Sequence, residues 1–370
     1  MLIRNRSIFV LVLTLCAAAF PALAQPPATR QAPPAGSVVT LKFTDASPKD
    51  VFAELSRQSG AELRAYPRNL WESQDWPTIS INLENVSFWH AIKELSEKTN
   101  VTLQRMGMDR ELVLVQGQAK PWQNLPTAEH GPFLVVAHSA YLQHNADLTT
   151  KDVRRSCTVR FTVYAEPKIK VLKGLFSAEI ESAVDENGAK LVPQQVRPEK
   201  MATNTSWAWS MNATLVPPPG VGNEIDRLRG SGRFLIQLRS EKAEIDDILN
   251  AKGATKVIEN NRLLIKDVKA TGDTYTLNVA LERVPGAADW NENSLASTLR
   301  LVDANGDSLT RRNYASQGVA EEQLSMNLIF SRQDWNGNIS AGEPVKLVWE
   351  VPTETAEVAV PFEFRDLPLP

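Results

Sequence analysis

Four histidines (His90, His130, His138 and His144) and one cysteine outside the first thirty residues (Cys157) are the scarcest chemistry-bearing side chains of this sequence. No His-Glu-x-x-His, no Cys-x-x-Cys and no histidine pair at helical spacing occurs, so the common zinc and redox patterns are missing. His138 and His144 lie six apart on one strand-like stretch and would share a metal only if that stretch folded back on itself. A Gly-x-Ser-x-Gly elbow and a phosphate loop are missing as well, and Gly230-Ser231-Gly232 reads as a loop. The one cation-like pattern is Asp334-Trp-Asn336-Gly-Asn338 with Glu343 beyond it. Oxygen ligands at alternate positions resemble the start of a calcium loop, but Ile339 stands where the loop glycine belongs and Glu343 comes too early. A turn accounts for the same Asn and Gly residues, so calcium at Asp334, Asn336 and Asn338 stays an open alternative. Asp303-Ala-Asn305-Gly-Asp307 looks similar, yet its counterpart from Asp185 carries Ala189 and Lys190 at the ligand positions, which favours hairpins. Carboxylate pairs of the glycosidase kind meet in space, and spacing along the chain does not speak to them. Trp207 and Trp209, two apart on one strand, are expected on the same side, either as a contact surface or as a core face. No catalytic, cofactor-binding or metal-binding residue is assigned.

The elements that would position such groups begin after a leader. Residues 1–24 read as a signal peptide, with Arg4 and Arg6, an apolar run from Ile8 to Ala19 and the cleavage pattern Ala22-Leu23-Ala24. Leu15 precedes Cys16 where a lipoprotein signal needs a small residue, so soluble export is expected, to the periplasm or beyond. Without the leader the chain keeps 38 basic and 43 acidic residues, a net charge near −5. That balance, without a Lys/Arg cluster, does not suit nucleic acid. Cys157 alone cannot form an internal disulfide, so the chain must rely on apolar cores; in its strand-like run it is expected to be buried. No later stretch has 18 consecutive apolar residues.

Residues 25–37 form a Pro-rich linker, and the segment after it matches itself at an offset of 40. Leu41-Lys42-Phe43 faces Ile81-Asn82-Leu83, Glu54-Leu55-Ser56 equals Glu94-Leu95-Ser96, and Gly60 faces Asn100. Ser47 and Ser87 are expected N-caps, Pro48 a first helical residue, and Gly60 and Asn100 left-handed exits. Alternating strands at Val39–Phe43, Ile79–Leu83, Val101–Leu103 and Leu112–Leu114 flank these helices. Residues 38–118 are therefore expected to form a β-α-β-β-α-β module. This stretch, about a fifth of the chain, resembles the short N-terminal domain of bacterial secretins and TonB-dependent receptors. The resemblance implies a periplasmic docking domain that touches another envelope protein; no membrane barrel follows it here. Trp71, Trp76 and Trp89 would then mark a partner surface or anchor the module's own core.

After a linker at 119–130, two stretches superpose at an offset of 118: Thr158–Val163 on Thr276–Leu281, and Val184–Gly188 on Val302–Gly306. Asn187-Gly188 and Asn305-Gly306 suggest type I′ hairpins. The expectation is two tandem immunoglobulin-like β-sandwich repeats, at 131–260 and 261–370, made of short strands with one short helix near Glu244–Ala251. The ending Phe362–Pro370 resembles uncharacterised secreted proteins of Planctomycetes and Verrucomicrobia. Together these readings imply a non-enzymatic exported envelope protein that binds another protein through its N-terminal module, the sandwiches serving as spacer or second binding surface. The alternative is a periplasmic carbohydrate-binding or carbohydrate-processing protein. A cleft with tryptophan and two or more carboxylates would favour that alternative.

Overall fold

A computed structural model of the chain describes residues 33–106, 111–117, 122–194, 201–283, 292–320 and 323–370. The expected signal peptide, most of the Pro-rich linker and residues 119–121 of the second linker lie outside these. The protein is mostly β-sheet, 60% strand and 12% helix, in several sheets. Among the described residues no helix is long and apolar enough to cross a membrane.

The first part runs β1 (Val38–Ala46), α1 (Pro48–Ser59), β2 (Arg64–Ala65), β3 (Ile79–Ser87), α2 (Phe88–Thr99), β4 (Val101–Met106) and β5 (Glu111–Gln116). The helix ends follow the sequence. Ser47 Oγ accepts the Asp50 amide, Ser87 Oγ accepts the His90 amide, and Gly60 and Asn100 exit at φ 67° and 55°. Strands β1 and β3 pair antiparallel, and β2, β5 and β4 form a separate three-stranded sheet. Phe52, Leu55, Phe88, Trp89, Ile92 and Leu95 fill the core between helices and sheets.

The next strands are β6 (Thr127–His130), β7 (Phe133–Ala146), β8 (Val153–Ala165), β9 (Val171–Gly174), β10 (Glu179–Val184), β11 (Val192–Pro193), β12 (Ala202–Ser206), β13 (Ala208–Val216) and the 23-residue β14 (Glu224–Asp246). Then come β15 (Thr255–Ile258), β16 (Asn261–Thr271), β17 (Thr274–Arg283), α3 (Glu292–Thr298), β18 (Leu299–Asp303), β19 (Thr310–Ala320), β20 (Gln323–Ser331) and the 25-residue β21 (Pro344–Pro368). One sheet has the order β12-β9-β14-β21-β18, with β10 also on β14. The sheet β11-β13-β8-β7-β6 packs on its first half and the sheet β15-β16-β17-β20-β19 on its second.

That shared sheet departs from the expected boundary between 260 and 261. Strands β14 and β21 pair along almost their whole length, from Glu224 with Pro368 to Asp246 with Lys346. Consequently Val358, Val360, Phe362, Phe364 and Leu367 of the chain's end complete the first core beside Phe161, Trp209 and Phe234. Leu347, Trp349 and Val351 of the same strand enter the second core. Register shifts around Arg239 mark the crossing from one layer pair to the other. The interruptions that suggested short strands are tolerated within long ones. Pro361 falls where β21 has β14 on one side and no further described strand on the other, an edge where a missing N–H costs little. Gly230 and Gly232 lie inside β14, not in a loop, because a Cβ there would meet the Glu179 carbonyl at 2.6 Å and the Phe234 ring at 2.7 Å. The short helix expected at Glu244–Ala251 shrinks to a single 3-10 turn, Ile248–Asn250, since β14 continues to Asp246.

The first part is seated on the first layer pair. The sequence Phe-Leu-Val-Val at 133–136 is apolar on both sides because both are buried: Phe133 and Val135 face the sheet core, while Leu134 and Val136 join the core of the first part. Trp89, Trp122 and Tyr164 form the joint, the Trp89 ring centroid lying 6.3 Å from that of Trp122 and 6.1 Å from that of Tyr164, and Trp89 Nε1 donates to the Pro132 carbonyl at 3.0 Å.

Candidate functional site

The sequence Asp-x-Asn-Gly occurs three times, and each copy makes the same turn. Gly188, Gly306 and Gly337 donate back to the carbonyls of Asp185, Asp303 and Asp334, at 3.0, 3.1 and 3.1 Å. In each turn the glycine takes positive φ (78°, 87° and 87°) and the asparagine before it does not. This is a type I turn closed by a left-handed glycine, in place of the expected type I′ pair. Each aspartate also accepts the amides two and four residues on, at 2.7–3.0 Å. In the first two copies the second carboxylate oxygen accepts a distant glycine amide, Gly222 for Asp185 (2.9 Å) and Gly342 for Asp303 (2.6 Å). These two aspartates are 1% and 2% exposed. The Gly222 amide, more than any other group, holds Asp185 below the usual carboxylate range. For Asp303, burial pushes the pKa up but the amides of Gly342, Asp307 and Asn305 together outweigh it.

Among the described residues the third turn has no such distant amide, and it stands at the surface. Asp334 spends Oδ1 on the Asn336 and Asn338 amides, and Oδ2 lies 3.5 Å from Asn338 Nδ2. The alternate-oxygen pattern thus resolves into a hydrogen-bonded hairpin end. Among the described residues no group of three or more His, Cys, Asp and Glu side chains could hold a metal ion. His138 and His144 lie on the extended β7, roughly 20 Å apart at strand rise, too far to share one.

What the third turn presents is Trp335, 42% exposed, its ring covered on one side by the Arg312 guanidinium at 4.9 Å. Arg312 is held in turn by the Gln333 and Asp334 carbonyls, at 3.1 and 2.5 Å. Trp335 forms one wall of a cleft of about 820 Å³ between the segment Glu62–Asn69 and the hairpin ends of the second layer pair. Tyr66 and Asn69 face it from one side; Asp307, Ser308, Thr310 and Asn338 face it from the other. Arg68 crosses to Asp307 at 2.9 Å, and Arg64 binds Glu62 at 2.8 Å. The Arg64 hydrogen bond lowers the Glu62 pKa, with Arg300 and Lys242 adding to it against burial. Tyr66 is pushed up by burial and by Asp334, against Arg312.

Beside this cleft lies a smaller pocket of about 250 Å³, with Glu62, Arg64 and Arg300 common to both. Here three parts of the chain meet. Arg64 and Leu112 come from the first part, Lys168, Lys170, Trp207 and Gln237 from the first layer pair, and Lys242, Arg300 and Glu350 from the strands that serve the second. Glu350 accepts Ser240 Oγ at 2.8 Å, and burial pushes it up, but Ser240, Lys170, Lys242 and Arg300 keep it low.

The tryptophans read from the sequence are spread over different roles. Trp89 is core, and Trp71 packs at a tilt on Phe52 and on Trp76, with ring centroids 5.7 and 5.4 Å away. Trp207 and Trp209 do not share a side: Trp209 lies in the first core, whereas Trp207 packs toward the first part and donates to the Pro167 carbonyl at 2.7 Å. Ser206 Oγ, accepting the Ala208 amide, turns the backbone there, so β13 and its alternation begin only after Trp207. Trp335, Arg64 and Arg300 were not singled out by sequence, although the third Asp-x-Asn-Gly with a bulky apolar residue at its tip was a legible signal.

No protein family model and no curated protein matches the chain. Among solved structures, the crystal structure of a conserved domain protein from Bacillus anthracis is 12% identical over 68% of this chain and 95% of that chain. Its TM-score of 0.21 is too low for an argument about the fold.

Proposed function

We propose that this chain is an exported cell-envelope protein that binds a glycan in the cleft beside Trp335, without processing it. The observation that carries the reading is the exposed indole on a rigid turn in a concave site ringed by planar polar groups. A sugar ring offers a C–H face to an aromatic platform and a rim of hydroxyls to carboxylate, amide and guanidinium groups, and this is how polar ligands are oriented in clefts. Binding is favoured over turnover by the state of the carboxylates. Glu62 is held by Arg64, Asp307 by Arg68 and Asp334 by its own turn. Among the described residues every carboxyl group with a shifted pKa is shifted down, the opposite of what a general acid needs. The first part, in this reading, is the secretin-type module of residues 38–118, and the two layer pairs are immunoglobulin-like copies of one unit. The matched Asp185 and Asp303 turns support that duplication.

The test is a glycan array with the folded chain and with Trp335→Ala. Loss of at least about tenfold in affinity is expected at an unchanged melting temperature, because Trp335 is exposed. An array on which the intact chain binds nothing removes the reading.

A second reading, docking of another envelope protein on the module, is favoured by the two-stranded sheet β1–β3, whose outer edges pair with no other described strand. An extended partner segment would add to such an edge. A photo-crosslinking residue at the exposed Val38 should then trap one envelope protein that the same residue at Leu148, on the β7–β8 hairpin tip, does not trap. Equal labelling from both positions rejects it.

A further inference from the structure

We propose that the chain cuts its own peptide bond between Gly36 and Ser37, with the Ser37 hydroxyl as nucleophile and Glu166 as the group that moves the proton. The proposal is independent of the glycan reading. Ser37 stands directly before β1 and is buried against the first layer pair. Its Oγ donates to Glu166 Oε2 at 2.6 Å, nearer than the Ser59 carbonyl at 3.1 Å. The Ser37 amide donates to the other oxygen of the same carboxylate, Oε1, at 2.8 Å. Lys168 Nζ donates to Ser37 Oγ at 2.5 Å and lies 3.2 Å from Glu166 Oε2. Ser37 and Glu166 are 7% and 1% exposed. A fastening alone does not require one carboxylate to touch both the hydroxyl and the amide nitrogen of a single serine. Those are the two atoms between which a proton must pass when a serine takes the acyl group of the residue before it.

Water is the one reactant taken from outside. Ser37 Oγ adds to the Gly36 carbonyl carbon as its proton passes to Glu166, and the Lys168 cation beside Oγ offsets the charge that builds on the carbonyl oxygen. The bond from that carbon to the Ser37 nitrogen then breaks. Glu166 gives the proton to the nitrogen, which leaves as an amine, and Gly36 is now joined to Ser37 through an ester. Water attacks the ester carbon, the bond to Oγ breaks, and Gly36 ends as a carboxylate while Ser37 regains its hydroxyl. Both sides of the bond are held in place, which favours a step within one residue. A Cβ at Gly36 would meet the Gly131 carbonyl oxygen at 2.4 Å, so the backbone there lies tight against Gly131. On the other side the Ser37 carbonyl accepts the Phe88 amide at 3.1 Å. The cut also suits the buried carboxylate. Before it, Glu166 Oε1 faces a neutral amide; after it, the same nitrogen is an ammonium, a stronger charge-assisted partner. The product begins at Ser37 and keeps β1 and everything after it.

The experiment makes the full chain by cell-free synthesis, purifies it and follows its intact mass at neutral pH, with the melting temperature as a folding control. The expected result is a species that lacks residues 1–36 and begins at Ser37. Its formation should be first order, at a rate unchanged by diluting the protein, and faster with hydroxylamine, which takes the acyl group from the ester. Ser37→Cys should still cut and Ser37→Ala should not. Glu166→Gln, which keeps the shape of the side chain, should slow the cut at least about a hundredfold. If that variant fails to fold, the two Ser37 variants carry the test. A folded chain that stays whole with and without hydroxylamine overturns the proposal. So does cutting that proceeds equally in Ser37→Ala, or at a rate that falls on dilution, since either outcome means that another molecule does the cutting. A folded Glu166→Gln that cuts at the original rate overturns it too, because the proton then takes a path without the carboxylate.

Discussion

At the scale of single residues, the Asp-x-Asn-Gly turn shows how one local motif can be structural in two places and presenting in a third. Asp303 is almost completely buried, and each of its oxygens is spoken for. Oδ1 takes the Asn305 and Asp307 amides and Oδ2 takes that of Gly342. A Cβ at Gly342 would sit 3.1 Å from Asp303 Oδ2, tighter than an ordinary contact, so any side chain there presses on the carboxylate. Replacing Asp303 by Ala leaves three amides without their acceptor and should cost about 3 kcal/mol in urea unfolding. Asp303→Asn keeps the Oδ1 contacts but turns an amide donor toward the Gly342 N–H, so roughly half of that loss is expected. The wild-type advantage must also depend on pH. A carboxyl group whose folded pKa is lowered contributes its stability above the unfolded value, about 4, and loses it as pH falls through the folded value. The gap between wild type and Asp303→Ala should therefore be full near pH 7 and narrow as pH falls below about 4; a gap that does not change with pH would show that the charge is irrelevant. The sequence carried this much openly, since the two buried turns lie at matching positions of its internal repeat. The turn type was misread because Asn-Gly alone suggests two positive φ angles. The preceding aspartate, by collecting amides in a type I turn, leaves only the glycine left-handed.

At the scale of elements, the caps and stripes of both helices were legible residue by residue, because they depend on neighbours within four positions. The extent of β14 and β21 was not. Apolar alternation in each strand is interrupted by Gly230, Gly232, Pro352 and Pro361, which read as strand ends until a partner strand or an open edge explains them. Likewise nothing local says that Phe362 and Phe364 belong beside Phe161, with ring centroids 5.0 and 5.5 Å from it, across about two hundred residues of chain. This arrangement makes the C-terminus a structural part of the first layer pair. Ending the chain after Thr355 removes Val358, Val360, Phe362, Phe364 and Leu367 from the first core and leaves the second core's residues intact. The expected outcome is loss of the first unit while the second persists. Cys157 is a built-in reporter, since it is completely buried in the first core and its thiol is pushed up to about 11 by that burial. A thiol reagent should label it slowly in the full chain and at the rate of a free thiol in the shortened one. Slow labelling in both would mean that the last strand is dispensable to that core.

At the scale of the whole molecule, the groove exists only because the module is held in place against both layer pairs, and this could not be read from positions 62, 300 and 335 in sequence. One fastening is the buried Glu166, 1% exposed, which accepts the Ser37 amide at 2.8 Å and the Ser37 hydroxyl at 2.6 Å and pairs with Lys168 at 3.2 Å. Ser37 in turn receives the Phe88 amide on its carbonyl, so the start of both β1 and α2 is tied to the first layer pair. A second fastening is Glu129, bound to Lys93 at 2.8 Å and to the Ser87 hydroxyl at 2.6 Å. The aromatic joint of Trp89, Trp122 and Tyr164 lies between them, and the Arg68–Asp307 pair closes the far side. Glu166→Ala takes away the acceptor of two buried donors and the partner of Lys168, at a cost of about 3 kcal/mol. That cost should fall where the contacts were lost. Native-state hydrogen exchange should quicken at the amides of Ser37 and Phe88 and along β1, while β16, β17 and β20 exchange as before. Since Glu62, Arg64 and Arg68 ride on the module, the same variant should weaken ligand binding at the groove without altering any residue that lines it. Uniform acceleration across all sheets would mean that the module and both layer pairs open as one body, and Glu166 would then be a general stabiliser with no particular hold on the groove.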